Sequence, residues 1–174
     1  MKKGGIQPGT TASSHESILS EQKHIDWVLR AVSKRGPKWK IKKSQTSEEM
    51  RGYKTADDYS RKKDGSCQEW QADGGFIFYE VDGEWKRVGV CENKFQDSRE
   101  NACERGLRYL SFLEGPQIFI ACEGPGFEKK NGGGSTGTFI DMALHAGITV
   151  LVNPSDAEYE LELERWLDSL VAGL

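Results

Sequence analysis

Two carboxylates and an ammonium brought together can hold a divalent cation and offset charge on a reacting phosphoryl group. Asp73, Glu92 and Lys94 are the residues of this chain whose spacing could bring that about. Glu92-Asn93-Lys94 closes the apolar run VGVC (88–91), and on a strand Glu92 and Lys94, two apart, share a face. Glu-x-Lys alone carries little, because the chain contains it four times, starting at Glu21, Glu84, Glu92 and Glu128. Only Glu92 gains an opposed acid. Asp82-Gly83 between FIFYE (76–80) and WKRVGVCENKF (85–95) is a type I′ hairpin signal. A two-residue turn there pairs Val81 with Glu84, Tyr79 with Lys86 and Ile77 with Val88, and a regular ladder then sets Asp73 directly opposite Glu92. Opposed residues share a face with Cβ atoms roughly 5 Å apart, and like charges so placed destabilise a sheet unless something offsets them. Mg²⁺, which takes hard oxygen ligands, would do so. The bland alternative is a strand-end ion pair of the same three residues. Gly74-Gly75 invites a bulge, although one residue of slip would leave the two acids close.

The elements that must position these residues follow from periodicity and punctuation. Ser13-x-x-Glu16 is a capping box, Ile18, Ile25, Val28, Leu29 and Val32 follow at helical spacing, and Gly36-Pro37 stops the helix. KWKIKK (38–43) alternates as a short strand. Its Trp39 suits either a phosphate backbone or the apolar side of a half-buried strand. Residues 60–69 read as an exposed loop. A helix is expected from Arg99 to Leu113, a buried strand at QIFIAC (117–122), a flexible glycine-rich loop at 128–137 and a short helix from Thr138 to Gly147. ITVLVN (148–153) is a second buried strand. Ser155-x-x-Glu158 caps a last helix burying Leu163, Trp166, Leu167 and Leu170. The order α-β-β-β-α-β-α-β-α implies one α/β domain over 1–174, with a mixed central sheet flanked by helices. Residues 1–15 are expected to form a flexible N-terminal arm.

Composition narrows the class. The chain has 174 residues, net charge −3 and no apolar run near the roughly 20 residues of a membrane span. Its basic N-terminus lacks the apolar core of a signal peptide, so a cytoplasmic protein without membrane association is expected. Cys67, Cys91, Cys103 and Cys122 include no Cys-x-x-Cys pair, and His15, His24 and His145 are scattered. That disfavours zinc and leaves free thiols and surface or helix-packing histidines. GGGSTG (132–137) lacks the lysine of a phosphate-binding loop, and Asp57-Asp58 reads as a solvated turn rather than a second metal site. Residues 23–63 carry an excess of basic side chains and residues 152–174 an excess of acidic ones. This asymmetry fits either a polyanion-facing half or a merely solvated basic surface.

ADGG (72–75), ENKFQ (92–96), NACER (101–105) and IACEGPGF (120–127), in that order, resemble the motifs of EcoRI-like type II restriction endonucleases of the PD-(D/E)xK nuclease superfamily. Ala72 stands where the family has proline, and the connection from Glu92 to Asn101 is shorter than in larger members. The resemblance implies a restriction-endonuclease-like core and a homodimer that cuts double-stranded DNA at a short palindrome. It implies Mg²⁺ held by Asp73, Glu92 and the Asn93 backbone carbonyl, and Lys94 orienting the attacking water. Gln96 would hold a phosphate or a water, while Asn101, Ala102, Glu104 and Arg105 resemble the segment that reads an AATT core. A repair or structure-specific nuclease of the same fold and a catalytically silent DNA-binding module are the competing expectations.

Overall fold

A computed structural model of the chain describes residues 10–45, 70–95, 117–124 and 145–174. Its elements are helix α1 (Thr10–Ser33), strands β1 (Trp39–Gln45), β2 (Trp70–Val81), β3 (Glu84–Phe95), β4 (Gln117–Glu123) and β5 (Thr149–Val152), and helix α2 (Asp156–Val171). They form one small α/β domain. The strands lie in chain order, β1, β2 and β3 antiparallel, β4 and β5 added parallel to β3. The mixed sheet expected from the sequence is therefore present. The expected helix at 99–113 and the loops at 60–69 and 128–137 lie outside the described residues, as does 138–144 of the expected short helix.

Asp82 and Gly83 adopt φ of +53° and +82°, as a type I′ turn requires, and Val81↔Glu84 through Phe78↔Arg87 pair as expected. The register then slips. Ile77 faces Gly89 rather than Val88, so Val88 is the extra residue of a bulge in β3. Val88 and Cys91 both belong to the core on the helix side of the sheet, which two residues three apart could not do in an unbroken alternation.

That core is built from Trp27, Val28, Ala31 and Val32 of α1, Tyr159, Leu163, Trp166, Leu167 and Leu170 of α2, and Ile77, Cys91, Phe119 and Ala121 of the sheet. Helix α2 buries the four residues expected of it plus Tyr159, and its cap is the expected one: Ser155 Oγ accepts from Glu158 N at 3.1 Å. Helix α1 departs from expectation twice. It begins at Thr10, before the expected cap at Ser13, and its buried stripe is Ser20, His24, Trp27, Val28, Ala31 and Val32. Ile18 is 63 % and Leu29 40 % exposed. Hydrophobicity alone would bury those two, but the aromatic stack of Trp27 on Tyr159 (4.5 Å between centroids) and the polar contacts of Ser20 and His24 set the rotation of the helix. Trp39 also falls on this side, edge-on to Tyr79 at 5.0 Å and under the Arg35 guanidinium. It is the apolar side of a half-buried strand.

Helix α2 crosses the sheet so closely over Gly89 that a Cβ there would stand 2.7 and 2.9 Å from two ring carbons of Trp166 and 3.0 Å from Leu170. Gly89→Ala is expected to destabilise the domain by about 1–3 kcal/mol through overpacking. A urea titration measures it, and an unchanged midpoint would show that the indole gives way freely.

Candidate active site at the carboxyl ends of the parallel strands

Strand β3 pairs with β2 on one edge and β4 on the other and is buried from Val88 to Asn93. Glu92 is therefore only 3 % exposed and Asn93 5 %, while Lys94 and Phe95 are half-buried at the strand end. In the parallel ladder Glu92 lies beside Ile120, Asn93 beside Ala121 and Lys94 beside Cys122. Cys91 and Ala121 face the helices, so alternation sends Glu92 and Lys94 to the opposite face with Ile120 and Cys122. A carboxylate at the depth of Glu92 stays ionised only where cations or hydrogen-bond donors compensate its lost hydration.

Asp73 lies on the adjacent strand, but not where a regular ladder would put it. Against β1 the pairing of β2 jumps from Lys42↔Phe76 to Ser44↔Gln71, so the segment Ala72–Gly75 bulges. Gly75 takes φ +98°, a conformation open to glycine, and a Cβ on it would collide with the Ile41 side chain. Against β3 the pairing runs to Gly75↔Cys91, one residue out of the expected register. Direct opposition of Asp73 and Glu92 is thus corrected by two bulges that the Gly74-Gly75 pair and Val88 absorb. Asp73 is half-buried and lines a cleft with Ile25, Leu29, Ile41 and Lys43, between α1 and the β1–β2 edge. Among the described residues no three His, Cys, Asp or Glu side chains form a metal-holding group. The expected set has only two such side chains and a backbone carbonyl. Gln96, Asn101, Ala102, Glu104 and Arg105, like Asp57-Asp58, lie outside the described residues.

The same end of the sheet carries a polar cluster that the sequence did not disclose. Glu123, last residue of β4, accepts hydrogen bonds from Ser20 Oγ (2.7 Å) and Lys23 Nζ (3.0 Å) of α1, and His24 Nε2 stands 3.4 Å from its Oε1. Burial opposes its ionisation, but His24, Ser20 and Lys23 outweigh that and hold its pKa down at about 2. Asn153 clamps β5 to this end of β4: its backbone N donates to Cys122 O at 2.7 Å, and its side chain exchanges hydrogen bonds with the Gly124 backbone. Cys91 and Cys122 are buried and in no disulfide, and burial followed by the Glu92 charge pushes the Cys91 thiol well up, which disfavours its thiolate. His24 packs edge-on against Trp27 and Tyr159, while His15 and His145 are exposed. Ser20 and Glu123 are 103 residues apart, and no local pattern couples them.

Comparison with protein-family models, with curated proteins and with solved structures finds no match to this chain.

A carboxylate titrating at about 2 instead of the usual 4.5 stabilises the fold above about pH 4.5, and that contribution fades as pH falls toward 2. Glu123→Gln is expected to cost about 2 kcal/mol at neutral pH, the scale of hydrogen bonds to a charged group. It should also flatten the loss of stability in acid. Parallel stability–pH curves for the two proteins would show that Glu123 does not anchor α1.

Proposed function

We propose that this chain is a Mg²⁺-dependent nuclease that hydrolyses phosphodiester bonds in duplex DNA, of the type II restriction kind that its motifs resemble. The observation that carries the reading is the position of Glu92-Asn93-Lys94. It lies at the carboxyl end of an inner strand, antiparallel to the strand that bears Asp73 and parallel to β4. In sheets with parallel strands, binding sites form outside the carboxyl ends, where the connections diverge.

Glu92, the Asn93 carbonyl and Asp73 are hard oxygen donors of the kind Mg²⁺ prefers. Asp73 lines the cleft on the α1 side while Glu92 faces the other side of the sheet, so a shared ion requires the Ala72–Gly75 bulge to bring the Asp73 carboxylate round the end of β3. When bound, the metal would polarise the scissile phosphoryl group and acidify a water molecule. The remaining tasks fall to the chain itself. Lys94, at the half-buried end of β3, orients the attacking water by donating from Nζ and offsets the negative charge that develops as the water oxygen bonds to phosphorus. The P–O3′ bond breaks, leaving a 5′-phosphate and a 3′-hydroxyl. Site specificity rests on the resemblance of Asn101, Ala102, Glu104 and Arg105 to an AATT-reading segment, whose Asn and Arg types suit adenine and guanine edges in the major groove. A palindromic site calls for a two-fold symmetric homodimer.

The test is digestion of a fully sequenced plasmid with and without Mg²⁺, followed by sequencing of the ends. Discrete Mg²⁺-dependent fragments are expected, with cleavage reduced about 100-fold or more in Lys94→Ala and in Glu92→Gln. Absence of cleavage, or cleavage indifferent to both substitutions, would overturn the reading.

A further inference from the structure

Helices α1 and α2 leave between them a groove of about 380 Å³, with Trp27, Ala31 and Leu163 buried at its floor. The two helices run side by side in the same direction. Lys23 Nζ of α1 stands 3.9 Å from Asp156 at the start of α2, and Arg35, just past the end of α1, reaches Glu164 and Asp168 in the second half of α2. Each helix contributes a stripe spaced i, i+3, i+4 and i+7, residues 27, 30, 31 and 34 from α1 and 157, 160, 161 and 164 from α2. The α1 wall is basic, with Arg30 and Lys34, and the α2 wall is acidic, with Glu160 and Glu164. Arg35 already engages Glu164 at 2.6 Å. Lys34 and Glu160 are exposed and in no ion pair among the described residues, and Leu161 on the α2 wall is 51 % exposed.

We infer that a second copy of this chain packs on the groove, about a two-fold axis that runs along it. Charge selects both the occupant and the axis. A face with one basic and one acidic wall is complementary to itself when turned about the line between the walls, because α1 of each copy then lies over α2 of the other. Turning it about a line across the groove would lay acid on acid. The axis preserves height along the groove, so residues level with one another in one copy meet across the interface. The contacts of Lys23 with Asp156 and of Arg35 with Glu164 put Arg30 near the level of Glu160 and Lys34 near that of Glu164. Arg30 of each copy therefore meets Glu160 of the other, with Leu161 beside them as apolar contact. Helix α2 is about 24 Å long and the helix pair about 20 Å wide, so the footprint is about 1,000 Å² over both copies, where specific interfaces begin. Both helices run back from the carboxyl end of the parallel strands: α1 meets Glu123 at the end of β4, and Ser169 in the last turn of α2 donates to Gln117 at the start of β4 at 2.9 Å. The groove thus follows the strands, and an axis along it turns the carboxyl ends of both sheets to the same side. That the pair then offers two candidate active sites to one duplex rests on the nuclease reading, whereas the interface itself rests on the helices alone.

The test is the mass of the full chain in solution, without DNA or Mg²⁺, by light scattering from about 1 to 100 μM, the range in which an interface of this modest size associates. Twice the chain mass of 19.5 kDa is expected at the upper end. Arg30→Glu and Glu160→Lys are each expected to weaken association about 10-fold or more, because each sets like charges across the interface twice. An equimolar mixture of the two variants should dimerise again, since every such pair then has opposite signs, and circular dichroism checks that each variant is folded. A wild type that stays monomeric at the highest concentration, a dimer that neither reversal weakens, or a mixture that does not recover would overturn the inference. A dimer lost and restored in this way, from a protein that cuts nothing, would uphold the groove and sink the nuclease reading. Mg²⁺-dependent cleavage by a protein whose dimer ignores both reversals would sink the groove alone.

Discussion

Strand β3 hydrogen-bonds on both edges and is covered on both faces from Val88 to Asn93, and this double burial governs what its polar residues can do. A side chain such as Glu92 has no route to bulk water, so its charge must be met inside the protein or by a ligand. Two residues further along, Lys94 and then Phe95 emerge at the carboxyl end, where β4 ends on Glu123 and Asn153 closes β5 onto it. The transition from apolar centre to polar rim takes place within a few residues of a single strand. That is why the candidate chemistry gathers at this end of the sheet.

The two faces of the sheet have divided their roles. The helix side holds the aromatic core, Trp27, Phe119, Tyr159 and Trp166, with Gly89 left bare so that Trp166 can lie against the strand. Arg35, at the end of α1, pairs with Glu164 and Asp168 of α2 at 2.6 and 2.8 Å and ties the two helices together. Glu123 fixes the middle of α1 through Ser20 and Lys23. The opposite face sets Lys40, Lys42 and Arg87 against Phe76, Phe78 and Trp85. That face is buried too, with Phe76, Val90 and Ile120 at 0 % exposure.

Local pattern in the chain accounts for the strands, the type I′ turn at Asp82-Gly83, the capped C-terminal helix and the α/β class. Each of these depends on interactions within a few residues: alternation, positive φ at a turn, a serine accepting from an amide three residues on. The same pattern marks Glu92-Asn93-Lys94 as the segment to watch. Whatever depends on distant partners emerges only in the folded molecule. The rotation of α1, which exposes Ile18 and Leu29 and buries His24, follows from contacts with Tyr159 and Glu123, about a hundred residues or more away. The sides taken by Trp39 and by Lys40 and Lys42 follow from which face of β2 the helices cover. The offset between Asp73 and Glu92 follows from bulges at Ala72–Gly75 and Val88. A ladder counted from a turn holds only while both strands advance one residue at a time, and a single inserted residue turns every later side chain to the other face. Packing of the whole sheet against its helices chose where that insertion fell, and no local pattern records the choice.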